Sequence, residues 1–134
     1  MTVVDASIVV RLLQNRRGDD KLRVRFEQHR YIHAPALIDA EVTSAVRGLL
    51  MTSKPDTRIA VARAEQMLDD FADLPLMRYP MQPFQRRVLT LRENLTAYDA
   101  FYVVLAEALG VPLLTDDHKY AEAPGHAAVI DVWP

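Results

Sequence analysis

The chain has 134 residues, half of them hydrophobic and a quarter charged, with a formal net charge of -2 and no cysteine. That size and mix suit one globular domain, expected over residues 1–134, and they exclude disulfides, thiolate chemistry and a membrane-spanning helix. The overall basic balance of a nucleic-acid binder is absent, so any such site must be a local patch or a metal that brings its own positive charge.

Met1-Thr2-Val3-Val4-Asp5 opens the chain with neither a basic region nor a long apolar one. No secretory signal is expected, and a cytoplasmic setting is. Thr2-Val3-Val4 reads as a first strand ending at Asp5. Ala6-Ser7 turns it into a short helix with Ile8, Val9, Leu12 and Leu13 on its inner face. Asn15 to Asp20 is a polar loop, and Asp19 or Asp20 can cap a second helix running to about His29. Tyr31-Ile32-His33 is a second strand, ended by Ala34-Pro35. From Ala36 to Leu50 apolar residues recur at helical spacing, with Glu41 inside the apolar stripe. Asp39 points off that stripe into solvent. Asp56 can cap a third long helix that holds Ile59, Met67, Leu68 and Phe71, and Asp73-Leu74-Pro75 breaks it. Leu76 to Tyr79 is a third strand, and a further helix spans roughly Gln82 to Arg92.

From Ala97 to Leu109 nearly every residue is apolar, apart from Asp99 at the start and Glu107 near the end. A helix apolar all round is a buried helix. Gly110 stops it in the position where helices favour glycine. Pro112 to Thr115 follows as a strand buried on both faces, and Asp116-Asp117 closes it. Ala127 to Val132 reads as a last strand.

Strands alternating with helices predict an α/β fold with a parallel sheet of about four or five strands between two helical layers. In such a fold helices run antiparallel to strands, so helix N-termini lie over the carboxyl edge of the sheet, where α/β proteins place their ligands. Asp5 follows the first strand, Glu41 lies in the first turns of a helix, Asp99 opens the core helix and Asp117 follows the fourth strand. All four acids are predicted at that edge.

Each acid has a structural role open to it. Asp5 can cap the helix near Ser7. Thr96 and Asp99 resemble a capping box, and Asp116 or Asp117 can cap a turn at His118-Lys119-Tyr120. Glu41 has the weakest such role, because a carboxylate in an apolar stripe is costly unless it is paired or bound to a cation. Together the four would repel one another, and a hard divalent cation removes the conflict. Mg²⁺ and Mn²⁺ prefer oxygen ligands, and beside a phosphodiester such an ion can activate water and neutralise developing charge.

Val3-Val4-Asp5-Ala6-Ser7, Ala36-Leu37-Ile38-Asp39-Ala40-Glu41-Val42, Asn94-Leu95-Thr96-Ala97-Tyr98-Asp99-Ala100-Phe101-Tyr102 and Leu113-Leu114-Thr115-Asp116-Asp117 stand in this order along the chain. The four blocks resemble the PIN-domain family, and within it the VapC toxins of bacterial toxin–antitoxin pairs. The third block is the most specific. The resemblance implies a three-layer PIN-like fold and a metal-dependent endoribonuclease that hydrolyses RNA phosphodiesters. It also implies a toxin that inhibits translation and growth when free of its antitoxin. Asp5, Glu41, Asp99 and Asp117 would be the catalytic acids and would hold Mg²⁺ or Mn²⁺. Asp5 and Asp99 would bind directly, Glu41 and Asp117 directly or through water. Ser7 and Thr115 would orient the site, with Asp116 second to Asp117. A homodimer is implied, as is a VapB-type antitoxin whose tail would lie across the acidic groove.

Arg11, Arg16, Arg17, Lys21, Arg92 and Lys119 are candidates for gripping RNA, each against the plainer reading of a solvated basic face. Two rivals remain: a non-catalytic binding module on the same fold, and another phosphoryl-transfer enzyme or phospho-receiver domain. The second rival lacks support. Asp5-Ala6-Ser7 has no second Asp for an aspartyl nucleophile, and no Lys follows a late strand as a receiver requires.

Overall fold

Five short apolar segments pair side by side into one parallel sheet in the computed structural model, which describes residues 1–134. They are β1 (Thr2–Val4), β2 (Ile32–Pro35), β3 (Leu76–Tyr79), β4 (Leu113–Thr115) and β5 (Ile130–Val132), in the spatial order β3-β2-β1-β4-β5. β1 lies at the centre, with Val3 opposite His33 of β2 and Leu113 of β4. Val3, Val4, Leu113 and Leu114 are all buried, as continuous apolar strands covered on both faces must be.

Seven α-helices cover the sheet: α1 (Ala6–Gln14), α2 (Asp20–Glu27), α3 (Ile38–Met51), α4 (Val61–Ala72), α5 (Gln85–Thr90), α6 (Ala97–Leu109) and α7 (Lys119–Glu122). α1, α3 and α4 pack on one another, while α6 lies across β1, β2 and β4 with α5 against it. The result is the predicted three-layer α/β/α arrangement. No helix is long and apolar enough to cross a membrane.

α6 begins and ends where its sequence directs. Thr96 caps its N-terminus through the Asp99 amide, and Gly110 takes the left-handed conformation at its C-terminus, with φ 66°. Ala100 through Ala106 are all buried. Seven buried residues in a row leave no solvent face over two turns, which places α6 inside the domain.

Several boundaries differ from the sequence reading. Asp56 caps nothing. The Thr57 and Arg58 amides turn back onto the Lys54 carbonyl and the Ile59 amide bonds to Leu49, so α4 starts only at Val61. Ala34 and Pro35 belong to β2, where they pair with Arg78 and Tyr79, and α3 accordingly begins at Ile38. A 3₁₀ turn at Gln82–Phe84, containing Pro83, precedes α5, which ends at Thr90. β5 is shorter than expected because side chains take the preceding amides: Glu107 accepts from Ala127, and His126 from Ala128. Asp39 is not simply solvated; it pairs with Arg78 at 2.9 Å.

Glu107 is the one charged residue in the last two turns of α6, and its partners explain it. Arg87 of α5 grips both of its oxygens at 3.0 and 2.9 Å and also donates to the Gly125 carbonyl. Glu107 thus ties α5, α6 and the segment before β5 together. Its pKa is lowered, chiefly by the Arg87 hydrogen bonds, against a smaller opposing effect of burial. A depressed acid stabilises the fold above its unfolded pKa and loses that contribution as pH falls through the folded one. Glu107→Gln is therefore expected to cost about 2 kcal/mol at neutral pH. Chemical denaturation at a series of pH values should show that cost shrinking below the ordinary carboxylate range.

Candidate active site

The ends of β1 and β4 and the first turns of α3 and α6 meet at the carboxyl edge of the sheet. A cavity of about 160 Å³ opens there, lined by Asp5, Glu41, Asp99 and Asp117 together with Ser7, Tyr102, Lys119 and Tyr120. Four acids from four distant parts of the chain therefore share one small space.

Asp5 lies deepest, only 4% exposed. Its Oδ1 accepts the Ile8 amide at 3.0 Å, capping α1, and lies 2.9 Å from the Ser7 hydroxyl. Its Oδ2 accepts the Thr115 hydroxyl at 2.7 Å. Burial pushes its pKa up to about 6, outweighing the hydrogen bonds from Thr115, Ile8 and Ser7 that favour the charge, and Asp116 adds repulsion. The capping role and the place in the cavity are thus held by one side chain at once.

Thr115 links two acids. It donates to Asp5 and accepts the Asp117 amide at 3.0 Å. Asp117 in turn accepts the Lys119 amide at 3.0 Å, and Lys119 Nζ lies 3.1 Å from its Oδ2. Burial raises the Asp117 pKa, yet the Lys119 amide, ammonium hydrogen bond and charge together carry it below its ordinary value. Asp99, in the first turn of α6, accepts from the Thr96 hydroxyl at 3.0 Å, from Tyr120 Oη at 3.1 Å and from Lys119 Nζ at 3.0 Å. Glu41 is half-buried, and Tyr102 Oη donates to its Oε1. The phenol pKa values of Tyr102 and Tyr120 are both raised, first by burial and then by these carboxylates, so both hydroxyls keep their protons to donate.

Asp116 turns away from the four. It accepts from Ser7 at 2.7 Å and lies 3.9 Å from Arg11. Ser7 has one proton and two acidic neighbours, so it serves Asp5 or Asp116 but not both. Asp116 instead lines a larger adjoining groove of about 480 Å³ between α1 and α3, with Arg11, Arg16, Glu41 and Leu49.

The basic candidates scatter. Arg11 is held by Asp19 at 3.0 Å, and Arg16 lines the α1–α3 groove. Arg17 and Lys21 are exposed and line neither cavity. Arg92 lines a separate apolar depression beside Leu89 and Phe101. Lys119 alone reaches the four acids, and it pairs with two of them.

As placed, no three His, Asp or Glu side chains form a group that could hold a metal ion. The donor set nonetheless fits a hard cation. Every group is an oxygen, the acids outnumber the nearby bases, and an ammonium already bridges Asp99 and Asp117 as a positive stand-in. Sequence reasoning missed Tyr102 and Tyr120 as site residues. Tyr102 stands three residues after Asp99 on the same helix face. That spacing was the available signal, hidden by the apolar run around it.

A model of the PIN domain matches residues 2–125. Ribonuclease VapC12 of Mycobacterium tuberculosis is 36% identical over 132 residues, covering 98% of this chain and 98% of that protein. Ribonuclease VapC1 of the same species is 39% identical over 124 residues, covering 92% of this chain and 90% of its relative. In fold, the chain is similar to the crystal structure of VapBC2 from Rickettsia felis bound to a DNA fragment from their promoter. The TM-score is 0.70 at 16% identity, covering 99% of this chain and 98% of that one.

Proposed function

The chain belongs to the PIN domain family, and from that premise we propose that it is a divalent-metal-dependent endoribonuclease of the VapC type. The observation that carries this reading is the single cavity lined by Asp5, Glu41, Asp99 and Asp117. Full-length relatives named as VapC ribonucleases support RNA as the substrate.

Asp5, Asp99, Glu41 and Asp117 would hold Mg²⁺ or Mn²⁺. The cation would activate water and offset charge growing on the phosphate. The chain's own work is positioning. The Thr115 hydroxyl and the Ile8 amide hold Asp5 in one orientation, and the Ser7 hydroxyl is shared between Asp5 and Asp116. Tyr102 takes one oxygen of Glu41 and leaves the other for a water or the cation. Glu41 also lines the larger groove, so it stands where an RNA strand lying in that groove meets the acids. It is the acid best placed to orient an attacking water.

As parts of the same reading, the protein is a cytoplasmic toxin that inhibits translation and growth when free. It acts as a homodimer and is held in check by a VapB-type antitoxin lying across the acidic groove. Ser7 and Thr115 orient the acids. Arg11 and Arg16 contact RNA in the groove they line, while Arg17, Lys21 and Arg92 lie outside both that groove and the four-acid cavity.

The test is cleavage of a mixed-sequence RNA pool by purified, antitoxin-free protein. Cutting is expected with Mg²⁺ or Mn²⁺ and is expected to stop in EDTA. Asp99→Asn should be inactive under the same conditions. Equal cutting by wild type and Asp99→Asn would mark the activity as contamination and sink the proposal. Neither Mn²⁺ binding nor cutting of any pool would favour the non-catalytic binding module, for which the Lys119 bridge across Asp99 and Asp117 is the supporting observation. Mn²⁺ binding without cutting would point instead to one structured RNA too specific for the pool.

A further inference from the structure

The side-chain oxygens of Asp99 and Asp117 are all engaged within the chain. On Asp99, Oδ1 accepts Tyr120 Oη, and Oδ2 accepts the Thr96 hydroxyl and lies 3.0 Å from Lys119 Nζ. On Asp117, Oδ1 accepts the Lys119 amide, and Oδ2 lies 3.1 Å from the same ammonium. Lys119 is the only basic residue lining the four-acid cavity. A cation of the protein's own therefore already sits between two of the four acids.

We propose that Lys119 is a built-in counter-ion that a divalent metal must displace, and that the displaced ammonium then binds the phosphate of the RNA substrate. The proposal rests on the nuclease reading above and deepens it.

Three features support exchange rather than a fixed bridge. First, a metal approaching Asp99 Oδ2 and Asp117 Oδ2 meets a positive charge bonded to both atoms, and like charges at that separation exclude one another. Second, the lysine can leave. Its side chain is 47% exposed, stands on the four-residue helix α7 and ends a flexible four-carbon stem. Third, the ammonium has a partner besides the two acids, because Nζ lies 5.3 Å from the centre of the Tyr120 ring. Swinging outward by one or two rotamers keeps the ammonium beside the cavity, where a phosphate drawn to the metal arrives. The device partly neutralises Asp99 and Asp117 while the metal is away and supplies a phosphate contact once it is bound.

The experiment compares Mn²⁺ binding to wild type, Lys119→Met and Lys119→Arg without RNA, by electron paramagnetic resonance of free Mn²⁺. Lys119→Met is expected to bind about tenfold more tightly, since two partly exposed ion pairs no longer compete. Lys119→Arg, which keeps the charge, should stay near wild type. Lys119→Gln repeats the test should Lys119→Met fail to fold. In cleavage assays with saturating Mn²⁺, Lys119→Met should raise KM for RNA and lower the slope of log KM against log salt by about one. If Lys119→Met binds Mn²⁺ no more tightly than wild type while wild type still cuts RNA with metal, this proposal is overturned and the nuclease reading stands. If no variant binds Mn²⁺ and cutting ignores EDTA, both fall.

Discussion

Asp5→Asn is expected to abolish RNA cleavage, by roughly a thousandfold or more, and at the same time to make the metal-free protein more stable near neutral pH. Opposite signs on the two readouts distinguish a functional carboxylate from a structural one. Asn can keep the α1 cap, because its amide oxygen accepts the Ile8 N–H as Asp5 Oδ1 does at 3.0 Å. Its NH₂ would face Thr115, whose hydroxyl can turn from donor to acceptor. What the substitution removes is a negative charge in a residue that is 4% exposed and close to other acids.

The pH dependence has a definite sign. Asp5 titrates at about 6 in the folded protein against an ordinary value of 3.8. The folded state therefore holds this proton over a pH range in which the unfolded chain has released it. Stability falls as pH rises through that window, and the loss is complete above it. A rise of this size corresponds to about 3 kcal/mol at full effect. Allowing for relaxation around the charge, Asp5→Asn should gain about 2 kcal/mol at pH 7.5, or roughly 6 °C in Tm. The gain should vanish near pH 4, where wild-type Asp5 is itself neutral. Scanning calorimetry of both proteins at the two pH values checks this. With Mg²⁺ at millimolar concentration the difference should narrow, because a cation that binds only the folded wild type stabilises it. A variant less stable than wild type at pH 7.5 would show that the charge of Asp5 is satisfied by its hydrogen bonds alone.

The sequence carries the placement of the acids better than their wiring. α6 was readable because burial on every side leaves an unbroken apolar run, and its ends are written locally in Thr96 and Gly110. Three-residue strands such as β4 and β5 are different. Their limits depend on which neighbour takes each amide, and Glu107 takes Ala127 from a distant helix. The helix caps read at Asp5 and Thr96 are present, and Asp5 and Asp99 also line the cavity. A local motif therefore did not decide between structure and function, since helix N-termini at the carboxyl edge offer both. Tyr102 reads as core and Tyr120 only as part of a turn, and both are buried, at 1% and 2% exposure. Only the tertiary approach of α3 and α7 reveals that their hydroxyl ends reach Glu41 and Asp99.

Thr115→Val is the second large effect expected, and it isolates that wiring. Thr115 is fully buried and its hydroxyl does two jobs, donating to Asp5 and accepting the Asp117 amide. Valine matches its shape but leaves a buried carboxylate short of one donor and an amide without its acceptor. Each deficit costs on the order of 1–3 kcal/mol, so a total near ~3 kcal/mol is expected from denaturant unfolding at pH 7.5. The hydrogen bond from Thr115 is the strongest of those that favour the Asp5 charge, so its loss drives the Asp5 pKa higher still. Asp117 loses the contact that orients its backbone beside β4. With two acids misplaced by fractions of an ångström, kcat should fall by about a hundredfold while KM for RNA changes little. Thr115→Ser restores the hydroxyl without the methyl and should recover most of kcat and only part of the stability. That split separates the hydrogen bonds from packing. If Thr115→Val cuts RNA as fast as wild type, the Thr115 bridge between Asp5 and Asp117 has no part in the reaction, and the acids are positioned by their other partners.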